Sequence, residues 1–266
     1  MNINNIEQTL IPIIRLTSQT CLMPYFTQAQ VSSKADGSLV TQADIAVQSE
    51  IQKQLKIHYP EYDFFAEELS DTEKDNFFTA EHPGFWCLDP LDGTSNFANG
   101  LPFFAISLAL IINGETRLGI VYDPVLDECF TAIKGQGAKL NDQSLRISSP
   151  PENLQQCIAI IDHKRLDTAL SMRLITDSPF HSQRSFGAAA LEWCWLAAGR
   201  CQIYLHGKHM LWDYAAGLLI AQEAGCVACT LENEPVFELS ICSRNIVAAV
   251  DNSLFEQWKT FIMKLD

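Results

Sequence analysis

Asp89-Pro90-Leu91-Asp92-Gly93-Thr94 follows directly on the apolar run Phe85-Trp86-Cys87-Leu88. The run is a buried strand, and Pro and Gly turn it sharply at its end. Gly93, Thr94, Ser95 and Asn96 open the next helical segment, where unpaired backbone N–H groups make a seat for an anion. Two carboxylates beside that seat repel an anion unless cations stand between them. One reading is therefore a metal-bridged phosphate site. The other is an acidic β-turn that uses Asp, Pro and Gly for geometry alone. The hexapeptide by itself leaves both open.

Composition narrows the choice. The chain has 266 residues, 47% hydrophobic and 19% charged, which is enough for one large core or two closely packed subdomains. A net charge of −14 with only 18 scattered Lys and Arg argues against nucleic acid as a partner. An acidic protein that handles a phosphate has to do so through bound cations and a few local donors. Nine cysteines, most of them inside apolar runs such as those around Cys87, Cys129, Cys157, Cys194 and Cys201, fit reduced thiols and a cytoplasmic location. Cys226-Val227-Ala228-Cys229 has no second pair and an apolar spacer, so it reads as a buried strand more than a zinc or redox site. No apolar run approaches the ~20 residues of a membrane span, and Met1 to Gln8 carry no basic leader.

Outward from the motif, apolar spacing predicts an opening amphipathic helix over about 4–28, with a turn at Lys34-Ala35-Asp36-Gly37-Ser38. A second helix, with Asp44 in its first turn, runs to Pro60. Asp44 suits the helix dipole there. Tyr62 to Ala66 reads as a strand ending in Glu67-Glu68, whose side chains point to opposite faces, so only one serves a given site. Residues 69–84 read as a surface loop. After the motif, Phe104 to Ile112, Leu118 to Tyr122 and Glu128 to Ile133 form an antiparallel meander with its first hairpin at Asn113-Gly114. Ser148-Ser149-Pro150-Pro151 marks a boundary. Residues 1–150 are an N-terminal α+β region that carries the motif, and 151–266 a C-terminal α/β region, the two forming one compact unit. In the second, Cys157 to Ile161 is a buried strand followed by the basic loop His163-Lys164-Arg165. Ala188 to Ala198 is a helix closed by Gly199, and Cys201 to Leu205 is a strand. Trp212 opens an apolar helix that ends at Glu223-Ala224-Gly225. A strand at Ile246 to Val250 and a helix over about 252–264 complete the chain.

Three separated pieces ask for one explanation: Glu67-Glu68, Asp89 to Phe97, and Trp212-Asp213-Tyr214-Ala215-Ala216-Gly217 with Glu223-Ala224-Gly225. In type, order and separation they resemble the signatures of the inositol monophosphatase family. The resemblance implies an α+β fold, the layered α-β-α-β-α sandwich of the inositol monophosphatase/fructose bisphosphatase type. It implies Mg²⁺-dependent, lithium-inhibited phosphate-ester hydrolysis with two or three Mg²⁺ ions, and a homodimer. By resemblance Glu67, Asp89, Asp92, Asp213 and the Leu91 carbonyl hold metal. Glu67 and Thr94 position the attacking water, Asp44 supports Thr94, and the N–H groups of Gly93 and Thr94 hold phosphate. Hard oxygen ligands suit Mg²⁺, and paired metals stabilise both ends of an in-line displacement. Direct hydrolysis without a phosphoenzyme is the expectation.

The substrate is less determined. Inositol-specific members carry a glutamate shortly before the second-motif aspartate, whereas this chain reads Tyr204-Leu205-His206-Gly207-Lys208-His209-Met210-Leu211. Ser185, Ala189, Asp92, His206, Lys164 and Arg165 are the candidate substrate contacts. The basic residues, with Lys208 and His209, either meet a second anionic group or form an exposed polar loop. Three readings follow. One is a phosphomonoesterase for a small sugar or polyol phosphate. Another is a bisphosphate nucleotidase or fructose bisphosphatase. The last is a non-catalytic regulatory or binding protein with this fold.

Overall fold

The computed structural model describes residues 3–26, 31–33 and 39–263. The turn expected at Lys34 to Ser38 and the far ends of the first and last helices, at 27–28 and 264, lie outside them. Eight α-helices are described: α1 (Ile3–Thr17), α2 (Gln42–His58), α3 (Asp71–Phe77), α4 (Thr94–Ala98), α5 (Thr168–Thr176), α6 (Ala189–Ala197), α7 (Leu211–Ala224) and α8 (Asn252–Met263). A two-stranded ribbon pairs β1 (Val31–Ser33) with β2 (Leu39–Thr41). β3 (Asp63–Ala66), β4 (Gly84–Asp92), β5 (Ala105–Ile112), β6 (Glu115–Asp123), β7 (Glu128–Ile133), β8 (Ala138–Leu140) and β9 (Gln143–Leu145) form a seven-stranded sheet in chain order. β10 (Ile158–Asp162), β11 (Ser182–Arg184), β12 (Ile203–His209), β13 (Val227–Cys229) and β14 (Arg244–Ala249) form a second sheet in the order β11-β10-β12-β14-β13.

The elements stack as the five expected layers. α1 and α2 cover one face of the large sheet, and Ile6, Leu10, Ile14, Val47, Ile51 and Leu55 are buried there against Trp86, Leu88, Leu108 and Leu110. Burying each such side chain is worth ~1.5–3 kcal/mol, which is why the apolar periodicity of these two helices is so legible. α6 and α7 fill the space between the sheets and are apolar nearly all round, as a helix buried on both sides must be. α8 packs on the outer face of the small sheet, and Arg173 of α5 donates to the carbonyls of Phe261 and Ile262 at its end.

Several expectations need correcting. Residues 69–84 are not all loop: Ser70 and Glu73 cap each other and start α3. The opening helix leaves α geometry at Thr17 for a π turn, Ser18–Leu22, and a 3₁₀ turn at Met23–Tyr25. The strand expected at Cys201 to Leu205 begins at Ile203 and runs on through His209, so the stretch read as a polar loop belongs to the sheet. α5 and the β8–β9 hairpin are elements that the apolar patterning does not predict. Cys226 and Cys229 lie where a buried strand was expected, and burial pushes both thiols up. Among the described residues no helix is long and apolar enough to cross a membrane.

Candidate active site

Asp89 and Asp92 are three residues apart, and in a regular strand they would point to opposite faces. The ladder prevents this: Asp89 pairs with Ser107 and Asp92 with Ala105, three steps on β4 against two on β5. That bulge turns both carboxylates toward the same side. Pro90 sits within it, where its missing N–H costs no ladder bond. Gly93 then takes φ +92°, and a Cβ there would stand 3.0 Å from both the Ala188 Cβ and the Phe103 carbonyl oxygen. Only glycine allows the turn and lets the second half of the chain come so close.

The acids are tied down by N–H donors. Asp89 Oδ1 accepts from Leu91 N at 3.0 Å. The two oxygens of Asp92 accept from Ala189 N at 2.9 Å and Ala190 N at 2.7 Å, the first turn of α6. Asp213 accepts from Met210 N at 2.8 Å in the first turn of α7. Glu67 follows β3, its N–H bonded to the Leu88 carbonyl at 3.1 Å.

A cavity of about 650 Å³ collects these groups. Glu67, Asp89, Leu91, Asp92, Asp213 and the Gly93–Asn96 turn line it, and so do Lys164, Arg165 and Lys208. Ser185, Ala189 and His206 line it as well. Thus the nominated residues face one cavity, except Asp44 and His209. Asp44 is fully buried behind Thr94, whose hydroxyl reaches Asp44 Oδ1 at 3.3 Å and the Leu91 carbonyl at 3.1 Å. Asp44 also accepts from the N–H and hydroxyl of Thr41, so it is a helix cap as well as a partner of Thr94. Glu67 lines the cavity and Glu68 does not, as alternation at a strand end requires.

Burial raises the Asp89 carboxyl well above its ordinary range, and the charges of Glu67, Asp92 and Asp213 push it further. Burial and then Asp213 do the same to Asp92. Asp213 is pushed up to about 7 by burial and then by Glu67. Asp89, Asp92 and Asp213, crowded together with Glu67, form a site that a cation would relieve. The donor set is all oxygen, which suits a hard divalent ion, and the N–H bonds fix the carboxylates while leaving further lone pairs. Among the described residues no group of three His, Cys, Asp or Glu stands as a ready metal cluster.

Two features of the cavity wall escaped sequence reasoning. The β12–β14 ladder has the same three-against-two step between His206 and His209, so both rings face one side, 3.9 Å apart. His206 meets Asp162 at 3.4 Å, and Arg165 meets the same carboxylate at 3.3 Å. Burial would lift Asp162, but the His206 bond and these two charges outweigh it and hold it low. His209 is fully buried and does not line the cavity, so it is withdrawn from the anion contacts proposed for it. The other feature is Glu192, a buried acid at the cavity wall. Its only signal in the sequence is a lone charge in the apolar stretch Ala188 to Ala198.

Comparison with known proteins agrees with this geometry. Residues 5–261 match the Inositol monophosphatase family. The chain is 37% identical to the Nus factor SuhB of Pasteurella multocida over 207 residues, 75% of this chain and 74% of that one. It is 36% identical to inositol monophosphatase 1 of Solanum lycopersicum over 224 residues, 82% and 80% of the two chains. The solved structure of an IMPase from Thermotoga maritima superposes with a TM-score of 0.83 at 28% identity, covering 97% of this chain and 96% of that one. With the layered fold and the acids of both motifs in one cavity, the chain belongs to the inositol monophosphatase family.

Proposed function

We propose that this protein is a Mg²⁺-dependent phosphomonoesterase that hydrolyses a small sugar or polyol phosphate. The observation that carries the reading is the convergence of Glu67, Asp89, Asp92 and Asp213, from three separate elements, on one cavity beside the Gly93–Thr94 turn. Glu67, Asp89, Asp92, Asp213 and the Leu91 carbonyl would hold two or three Mg²⁺ ions. Bound there, the metal supplies charge neutralisation and a water of lowered pKa.

This chain's own residues do the rest. The Gly93 and Thr94 N–H groups take the phosphate. The Thr94 hydroxyl has one proton and two acceptors, Asp44 and the Leu91 carbonyl. When the carbonyl is engaged elsewhere, the proton goes to Asp44, and the hydroxyl oxygen turns its lone pairs to the cavity. Thr94 then accepts a hydrogen bond from the attacking water, and Glu67 takes a proton from it. Ser185, Ala189 and His206 face the leaving group. Positioning and charge stabilisation suffice for phosphoryl transfer, so no phosphoenzyme is formed.

A second reading has its own observation. Lys164, Arg165 and Lys208 line the same cavity, and among the described residues neither lysine is drawn into an ion pair. A substrate with a second phosphate, a nucleotide or sugar bisphosphate, would meet them. The experiment is a panel of phosphate esters with Mg²⁺. Preference for a monoester supports the first reading. Preference for a bisphosphate by orders of magnitude, erased by Lys164→Ala, replaces it. Absence of turnover on every ester would favour a regulatory role, to which the likeness to proteins named Nus factor SuhB lends support. A homodimer in solution is also proposed, and light scattering after size exclusion tests it.

A further inference from the structure

Glu192 is 3% exposed in the first turn of α6, and no Lys or Arg ion pair reaches it among the described residues. A buried carboxylate without a cation is costly unless hydrogen bonds satisfy it. Here three do. Oε1 accepts from the N–H groups of Phe186 at 2.9 Å and Gly187 at 3.1 Å, and Oε2 accepts from the Tyr204 hydroxyl at 2.9 Å. The Tyr204 proton is therefore spent on Glu192, so its oxygen accepts from His209 Nε2 at 2.9 Å. That fixes the His209 tautomer with Nδ1 bare, and Nδ1 is a buried atom without a partner.

The segment held by Glu192 is held from other sides too. Asn96, just after the first motif, donates to the carbonyls of Phe186 at 2.7 Å and Phe103 at 2.8 Å. Three residues on, Ala189 and Ala190 donate to Asp92. One short strap, 186–190, is thus gripped on its N–H groups by Glu192, on its carbonyl by Asn96, and at its end by Asp92. Its members Gly187, Ala188 and Ala189, with the neighbouring Ser185, form the cavity wall beside the first motif.

We propose that Glu192 is a positioning residue that sets the leaving-group wall of the cavity through the Phe186–Gly187 turn, with Tyr204 and His209 fixing Glu192 in turn. The inference rests on the phosphatase reading for its substrate effect, and on the strap alone for its structural effect. Glu192 need not touch the substrate. Its removal loosens the wall that discriminates among leaving groups.

The test compares kcat/KM for myo-inositol 1-phosphate with that for p-nitrophenyl phosphate, whose good leaving group asks little of the wall. In Glu192→Ala the ratio falls about tenfold or more, the scale expected when a wall shifts by a fraction of an ångström. Glu192→Gln keeps Oε1 for the two N–H groups and stays within about threefold of the parent. Tyr204→Phe falls between them and serves if Glu192→Ala does not fold. Amide hydrogen exchange over 186–190 quickens in Glu192→Ala and not in Glu192→Gln. An unchanged ratio in folded Glu192→Ala or Tyr204→Phe, or an equal fall in Glu192→Gln, overturns the inference. If the parent protein hydrolyses neither ester, the monoesterase reading fails, and exchange alone judges the clamp: unchanged exchange in Glu192→Ala overturns it.

Discussion

Adding one methyl group at Gly207 displaces the loop that brings Lys164 and Arg165 to the cavity. A Cβ on Gly207 would lie 1.7 Å from the Arg165 carbonyl oxygen and 2.5 Å from its carbonyl carbon. Ordinary carbon-to-oxygen contact begins near 3.3 Å, so the two backbones must part by roughly 1.6 Å. Neither is a flexible side-chain tip. One belongs to the bulge in β12, and the other to the turn that follows β10, whose Asp162 pairs with His206. Overpacking of this kind costs about 1–3 kcal/mol, which lowers Tm by roughly 2–10 °C in a domain of this size. The functional effect exceeds the stability effect, because a 1 Å misplacement costs about 100-fold in rate for whatever the loop contacts. Thermal unfolding and kcat/KM for matched mono- and bisphosphate esters of one polyol measure the two effects. In Gly207→Ala the bisphosphate loses more than the monoester. A folded variant with the parental Tm would refute the close approach. A lowered Tm with an unchanged ester ratio would refute the loop's part in recognition.

Other consequences are as direct. Thr94→Val keeps the shape and removes the hydroxyl, so kcat falls about 100-fold, while Thr94→Ser stays within about tenfold of the parent; parental kcat in Thr94→Val contradicts the water-positioning role. The buried acids fix the sign of a pH effect. Asp213 rises in the folded chain from 3.8 to about 7, so the metal-free native state holds the extra proton over that window. Its contribution to stability is present at acid pH and is lost as pH rises through about 7, and Asp89 and Asp92 act in the same direction. Mg²⁺ therefore raises Tm more at pH 7 than at pH 5, and an equal rise at both contradicts the electrostatic reading.

How far the sequence carried depended on whether a signal was local. The strand before Asp89 and the hairpin at Asn113-Gly114 are written in adjacent residues, and both stand where expected. The acids of both motifs could be placed in one site because their types and order matched a family. α3 was legible too, since Ser70-Asp71-Thr72-Glu73 is a capping signature, but the polar stretch around it hid the signal. The bulges were not legible. Nothing in His206 to His209 says that the ladder steps three against two, and that step decides that the two rings meet on one side. Asp162 and Glu192 were missed for a related reason. Their roles come from partners at residues 206, 165, 186, 187 and 204, and a lone acid carries no mark of which distant N–H or cation it will meet.

The most direct test of the whole account is release of inorganic phosphate from a polyol phosphate, with and without Mg²⁺, by the parent protein and by Asp89→Asn. The expected result is turnover that requires Mg²⁺, is inhibited by Li⁺, and drops by at least about 100-fold in Asp89→Asn, the upper end of what outer-shell changes cost. Turnover that survives chelation, or that Asp89→Asn leaves intact, would contradict it.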